Sequence, residues 1–270
     1  MGNITIDILE ERDLPAITGI QPEDWGDITT IHRFYLAHAF CYSVKAVAAE
    51  SFAGIGTAII FNGTAWLAHI IVGERFRRQG IGGLIVEHLL DYARNTAGCS
   101  TVSLNATDMG YPVYLKHGFE PEAEYGILSG GDSLSAETGR GNIRRTGPED
   151  YSLIVELDRY TTGESREGMI RPYFETGYVY ARDGEVLGYY LPESGHGTIQ
   201  AASREAGISL LTLRMETNDT AVIPVANTAA YEYMTGSGFK EKAKIRRMIY
   251  GPPCGWKPEC NFSRTGGYIG

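Results

Sequence analysis

The stretch RFRRQGIGG, residues 75 to 83, sets three arginines and three glycines in nine positions and runs directly into LIVEHLLDYAR. Those residue types suit one task when they occur together. Glycines let backbone N–H groups approach a ligand without interference from a Cβ. A helix starting just beyond them adds unsatisfied donors and the positive end of its dipole. Arginines add charge. The chemistry this favours is the grip of a phosphate-bearing ligand by main-chain nitrogens.

Around the loop, the elements that must position it can be read from periodicity. Residues 3–10 alternate as a strand, and ERDLPAITGI (11–20) reads as a first helix. Residues 21–42 are rich in aromatics and hold a second helix among loops. SVKAVAAES and GIGTAIIFNGTAWLAHIIV supply three strands, with Asn62-Gly63 as a hairpin turn. Trp66 to Val72 is nearly all apolar, as expected of a strand covered on both faces. Beyond the loop, Leu84, Ile85, Val86, Leu89, Leu90 and Ala93 fall on one helical face, with Glu87, Asp91 and Arg94 opposite. TVSLNA (101–106) is a further strand, and YPVYLKHGF a short helix ending at Gly118.

Residues 129–142 are Gly- and Ser-rich and aperiodic, so a linker is expected at 131–141, between domains 1–130 and 142–270. The pattern then restarts: a helix over 148–160, two strands about Asp183-Gly184, a helix over 204–215, a strand at TAVIPV and a helix ending at Gly238-Phe239. A slide of 120 residues lays Gly118-Phe119 on Gly238-Phe239, and the helix after Gly83 on the one after Ser203. That is duplication of a domain; a solenoid repeat has a period of about 20 to 50 residues.

Composition bounds the function. The chain has 270 residues, 43% apolar and 21% charged, as in an ordinary globular protein, and a formal charge of −9 that argues against a general nucleic-acid binder. No apolar run approaches the ~20 residues that span a bilayer, no signal-peptide pattern is present, and Ile6 breaks the myristoylation pattern. Four scattered cysteines and six scattered histidines form no metal-ligand spacing, so a cytoplasmic protein without a metal is expected.

Rival phosphate loops fail on their residues. A P-loop needs Gly-Lys-Ser or Gly-Lys-Thr, and neither occurs. A dinucleotide fingerprint needs glycine at position 85, which is Ile85, and should begin at the end of a strand, whereas Gly80 lies eight residues past Val72. The segment from Val72 through Arg77-x-x-Gly80-x-Gly82 into a helix instead resembles the acetyl-CoA loop of the GNAT N-acetyltransferase superfamily. Its pattern there is Arg/Gln-x-x-Gly-x-Gly/Ala, with a strand ending in Val five residues before the Arg. A second match supports it: a Tyr four residues before a Gly-Phe pair, here Tyr114 and Gly118-Phe119. Thr107 and Gly110 depart from the Asn and Ala often found there.

The resemblance implies an α/β fold of two tandem GNAT domains, each a mixed central sheet flanked by helices. It implies acetyl-CoA as co-substrate and acetyl transfer to a primary amine. The backbone of Arg77, Arg78, Gln79, Gly80, Ile81, Gly82 and Gly83 would hold the diphosphate, with charge from Arg75 or Arg78. The Ile70, Ile71 and Val72 segment would face the acetyl oxygen, and Tyr114 would act as general acid. The second half looks like a degenerate copy, with Met234 at the Tyr position and Gly197, Gln200 and Ala202 in place of Arg77, Gly80 and Gly82.

The base is not readable. The strand position that carries a carboxylate in some relatives is Trp66, strand alternation puts His69 on the other face, and Asp24, Glu74, Asp108, the C-terminal tail and a water chain stay open. The acceptor is expected beside Trp25, His32, Phe34 and Tyr35, a cluster whose other reading is core. A non-catalytic acyl-CoA sensor is the alternative function, and a homodimer is left open.

Overall fold

The computed structural model describes residues 4–131, 134 and 140–270. The chain divides into two compact units, Met1–Glu120 with Met248–Pro252, and Pro121–Arg247 with Pro253–Gly270. Of the expected linker, residues 132, 133 and 135–139 lie outside the described residues.

The first unit runs β1 (Ile4–Ile8), α1 (Leu14–Ile17), α2 (Thr29–Ala37), β2 (Cys41–Ala48), β3 (Ser51–Phe61), β4 (Thr64–Val72), α3 (Ile81–Asp91), β5 (Thr101–Ala106) and α4 (Tyr111–Lys116). Its strands lie in sequence order from β1 to β5. All pair antiparallel except β4 and β5, which are parallel, so this sheet is mixed. A parallel pair needs a crossover, and α3 supplies it. Ile81, Ile85, Val86 and Leu89 form the buried stripe of α3 and close a core with Val44, Ala46, Leu67 and Leu104. The opposite face of the sheet is covered by Leu14, Ile17, Ile20 and Ile28 on Ile55 and Ile71. The first helix is shorter than expected: Glu11–Asp13 is a 3-10 turn, and α1 has only four residues, opened by Pro15 where a missing N–H does no harm. Met248 returns to this core, and Arg94 Nη1 donates to Tyr250 Oη at 2.9 Å.

The second unit holds β6 (Glu120–Ser129), β7 (Ile143–Arg145), α5 (Asp150–Thr162), α6 (Glu167–Ile170), β8 (Tyr178–Arg182), β9 (Glu185–Leu191), β10 (Thr198–Ala201), α7 (Arg204–Met215), β11 (Thr220–Pro224), α8 (Thr228–Gly236), β12 (Lys240–Tyr250) and β13 (Asn261–Ser263). Five strands run in the order β13-β10-β9-β8-β7, all paired antiparallel. β6 pairs with β11, also antiparallel.

β13 lies between β10 and β11. Ile199 faces Ser263 and Gln200 faces Asn261, while Arg264 N donates to Val222 O at 3.1 Å. Neither β10 nor β13 has a sequence signal. All their residues are buried, so the polar–apolar alternation of a half-exposed strand is missing.

Candidate active site

Eight residues, Gly73–Gly80, join β4 to α3. Glu74–Phe76 make a 3-10 turn that Arg77 N closes by donating to Glu74 O at 3.2 Å. The chain then turns left-handed twice, at Arg78 (φ +61°) and at Gly80 (φ +85°). Gly80 is the N-cap of α3, where a side chain would be strained by the backbone angle, since nothing lies within 4 Å of where its Cβ would be. No side chain caps this helix. The first N–H groups of a helix have no partner within it, so α3 presents them at the loop.

Each predicted loop residue has a definite place. Arg78, Gln79 and Gly80 are exposed, and Gly82 and Gly83 are half-buried. Ile81 is buried in the core, so only its backbone can serve a ligand. Arg77 Nε donates to Val72 O at 3.2 Å and ties the loop to the end of β4.

The loop opens beside a divergence of strands. β4 and β5 are paired only over Thr64–Leu67 and Thr101–Leu104. Past that point β4 bulges, because between the pairs Ile55–Ile71 and Thr57–Ala68 one residue of β3, Gly56, is matched against two of β4, His69 and Ile70. Ala65 and Leu67 pack toward α3, and after the bulge so do Ile70 and Val72. Ile71 faces the α1–α2 layer and is buried, while Ile70 and Val72 are half-buried.

The bulge corrects the expectation for His69. Simple alternation would put its side chain with Leu67; the extra residue turns it toward α2 instead, with His69 at φ +47°. Its Nδ1 lies 3.0 Å from Tyr35 Oη. The His32 ring is 5.2 Å away and Trp25 meets it edge-on at 6.1 Å. His32 and Tyr35 are buried on α2, Phe34 is half-buried and stacks on His38 at 4.1 Å, and Trp25 stays exposed. The expected aromatic cluster is therefore part core and part surface.

Burial, with His32 beside it, holds the His69 imidazole down to about 3. Burial brings His32 down to about 4. Both rings are neutral at physiological pH. That His69 joins this cluster is not readable from local residues, because a bulge depends on the pairing of a partner strand. The Asp24 side chain lies outside the described residues.

Tyr114 sits at the other side of the site, on α4. Its ring packs edge-on against Phe119 at 6.0 Å. Burial pushes its hydroxyl up to about 12, so it holds its proton throughout the neutral range. Gly110 now has a reason: a Cβ there would meet Tyr114 Cε2 at 2.8 Å. Thr107 takes over the turn before α4, accepting from Gly110 N at 3.2 Å on its hydroxyl and from Tyr111 N at 2.9 Å on its carbonyl.

In the second unit the matching positions are built differently. Gln200 lies within strand β10, and only Ala202 and Ser203 separate that strand from α7. Ser203 Oγ caps α7 by accepting from Ala206 N at 3.2 Å. Phe262 presses on the same helix start, where a Cβ on Gly207 would lie 2.2 Å from its ring. Met234 is buried in the core.

The loop is thus set where the parallel pair of a mixed sheet parts beside an uncapped, glycine-entered helix. Residues 7–119 match the model of the acetyltransferase (GNAT) family. The fold of the whole chain is shared with solved structures. A presumed acetyltransferase from Pyrococcus horikoshii superposes with a TM-score of 0.82 at 18% identity, over 99% of this chain and 96% of that one. A GCN5-related N-acetyltransferase from Sphaerobacter thermophilus gives 0.63 at 16%, over 94% and 98%. Another from Anabaena variabilis gives 0.63 at 13%, over 92% and 72%. Comparison with curated proteins found no match. Among the described residues, no helix is long and apolar enough to cross a membrane, and no group of His, Cys, Asp and Glu is gathered for a metal ion.

Proposed function

We propose that the chain transfers the acetyl group of acetyl-CoA to a primary amine of a small molecule or protein, by direct attack on the thioester. The observation that carries this reading is the uncapped start of α3 behind the left-handed Gly80. Backbone amides from Arg77 to Gly83 are suited to a diphosphate, and the exposed Arg78 adds charge. Acetyl-CoA supplies the activated acyl group. An N–H in the Ile70–Val72 segment, set by the bulge, would steady charge on the acetyl oxygen.

The step balances simply. The amine nitrogen forms the new C–N bond, the C–S bond breaks, Tyr114 gives its proton to the leaving sulfur, and the proton lost by the amine returns through water. A phenol that keeps its proton through neutral pH is suited to that donation.

The reading gives the chemistry to residues 1–130 and a degenerate role to residues 142–270, joined by 131–141. The reading assigns the reaction to the cytoplasm, where four scattered cysteines would stay reduced.

The test is release of free CoA from acetyl-CoA with an amine panel, for wild type and Tyr114→Phe. The substitution keeps the ring and removes the hydroxyl. Turnover should fall about 100-fold, the lower range for a lost proton donor, with acetyl-CoA affinity unchanged. Equal turnover would remove Tyr114 from the mechanism. Tight binding with no CoA release for any amine would favour a sensor.

A further inference from the structure

Among the described residues, four arginines of the second unit are buried, and they are finished in two ways. Arg166 lies against Asp158, to which its Nε donates at 3.1 Å and its Nη2 at 2.5 Å. Arg214 donates to the carbonyls of His196 and Thr220. Arg247 pairs with Glu122. Arg264, just past β13 and 5% exposed, is different. Its Nε and Nη1 have no hydrogen-bond partner, and no carboxylate among the described residues lies within ion-pairing distance of it. What it faces is the ring of Tyr125, 5.6 Å from the guanidinium carbon.

A guanidinium carries five donors and no acceptor. Burial pulls Arg264 down to about 10, which leaves it charged at neutral pH. A ring face attracts a cation without cancelling its charge. Taking a charge out of water is costly unless a counter-charge replaces the hydration. Further partnerless groups lie beside it in the sheet. Asn261 stands three residues before Arg264, and Gln200 faces Asn261 across the β10–β13 pair. Both carboxamides are fully buried, and neither the oxygen nor the nitrogen of either has a partner. Their sequence neighbours Ile199, Ala201 and Phe262 pack into the α7 core, so by alternation Gln200 and Asn261 leave the sheet on the opposite face. Tyr125 shares that face, since Gly126 abuts Tyr231 of α8 and Leu128 joins the α7 core. The Arg264 guanidinium, over Tyr125, therefore lies on the same side as the two carboxamides.

We propose that a compact monovalent anion, of the size of a halide, binds at Arg264 and helps to hold the C-terminal segment in the sheet. The enclosure of Nε and Nη1 excludes a bulky ligand, and the 5% of Arg264 that stays open gives access from solvent. The anion supplies the counter-charge that the other buried arginines obtain from a carboxylate or from carbonyls. Its effect falls on β13, because Arg264 is also the residue whose N–H ties that segment to Val222 O of β11 at 3.1 Å. This site is independent of the acetyl-transfer reading, and neither stands on the other.

The test compares sodium chloride with sodium gluconate, whose anion is too bulky for the seat, at equal ionic strength so that screening is the same. Thermal unfolding of the full chain should shift upward with chloride and saturate. Arg264→Met keeps a long apolar stem and removes the charge; it should lose the chloride dependence, whatever its own stability. The His196 imidazole, held down by burial and by the charges of Arg264 and Arg214, should rise toward its usual value as chloride binds, which NMR titration reads. Crystals soaked in sodium bromide should show an anomalous peak within hydrogen-bonding distance of Arg264 Nε or Nη1. If Arg264→Met does not fold, the wild-type chloride titration and the bromide position decide together. Equal unfolding in chloride and gluconate, or equal chloride dependence in the variant, would overturn the proposal. So would a bromide peak at Arg264 with no effect in solution, which would mean an adventitious ion only.

Discussion

Helices α3 and α7 occupy equivalent places in their units. Each follows the last strand of an antiparallel run, and each leads to a further strand and a short helix closed by Gly-Phe, Gly118-Phe119 or Gly238-Phe239. Their first turns are finished in opposite ways. α3 is entered through eight residues and a left-handed glycine, and no side chain takes its amides. α7 is entered through two residues, and Ser203 takes one of its amides while Phe262 covers Gly207. In one unit no side chain caps the helix start; in the other the protein satisfies one of its amides from within. The comparison teaches that the order of helix, strand and helix can be kept while the connector into the first helix differs in length and in its cap.

The comparison breaks most visibly at the loop. Gly80→Glu forces a left-handed backbone on a side chain and sets a negative charge where a diphosphate is expected. Acetyl-CoA affinity should fall at least about 100-fold, roughly 3 kcal/mol. Ala202→Glu, at the exposed residue just ahead of the α7 cap, should leave affinity within about twofold. Calorimetry on both proteins checks the pair, and equal effects would mean the two helix starts are not functionally different.

Much of this contrast was legible in the residues. Arg77-x-x-Gly80-x-Gly82 does run as a loop into a helix, because its demand is on the backbone and only glycine meets it cheaply at Gly80. The stripe Ile85, Val86 and Leu89 reads correctly because one helical face is buried. His69 does not, because its direction follows from a bulge set by pairing with β3, which local sequence does not encode. The slide by 120 residues also misleads locally. Its anchors at Gly118 and Gly238 match, yet it places Gly80 on Gln200, inside a strand, because the longer connector has no counterpart in the second unit. β13 stays hidden for another reason: Asn261 and Ser263 are polar, but both are buried.

A second test addresses how α7 is closed. Gly207→Ala drives a methyl group into the Phe262 ring, and should cost roughly 1–3 kcal/mol, as overpacking of a tight core does. Thermal unfolding would show it, with acetyl-CoA affinity unchanged. No loss of stability would mean that Phe262 does not hold the helix start closed.

The smallest effect sharpens the same point. Ser203→Ala removes the α7 cap and should cost about 1 kcal/mol. It should not create a second binding site, since the connector is still two residues long. Two acetyl-CoA molecules per chain in this variant would show that the cap alone had been excluding the ligand.

The most direct measurement is a crystal structure with CoA, backed by binding stoichiometry. The account predicts one CoA per chain, its diphosphate on the amides of Arg77 to Gly83 at the start of α3. A diphosphate bound instead at the start of α7, or two CoA molecules per wild-type chain, would contradict it.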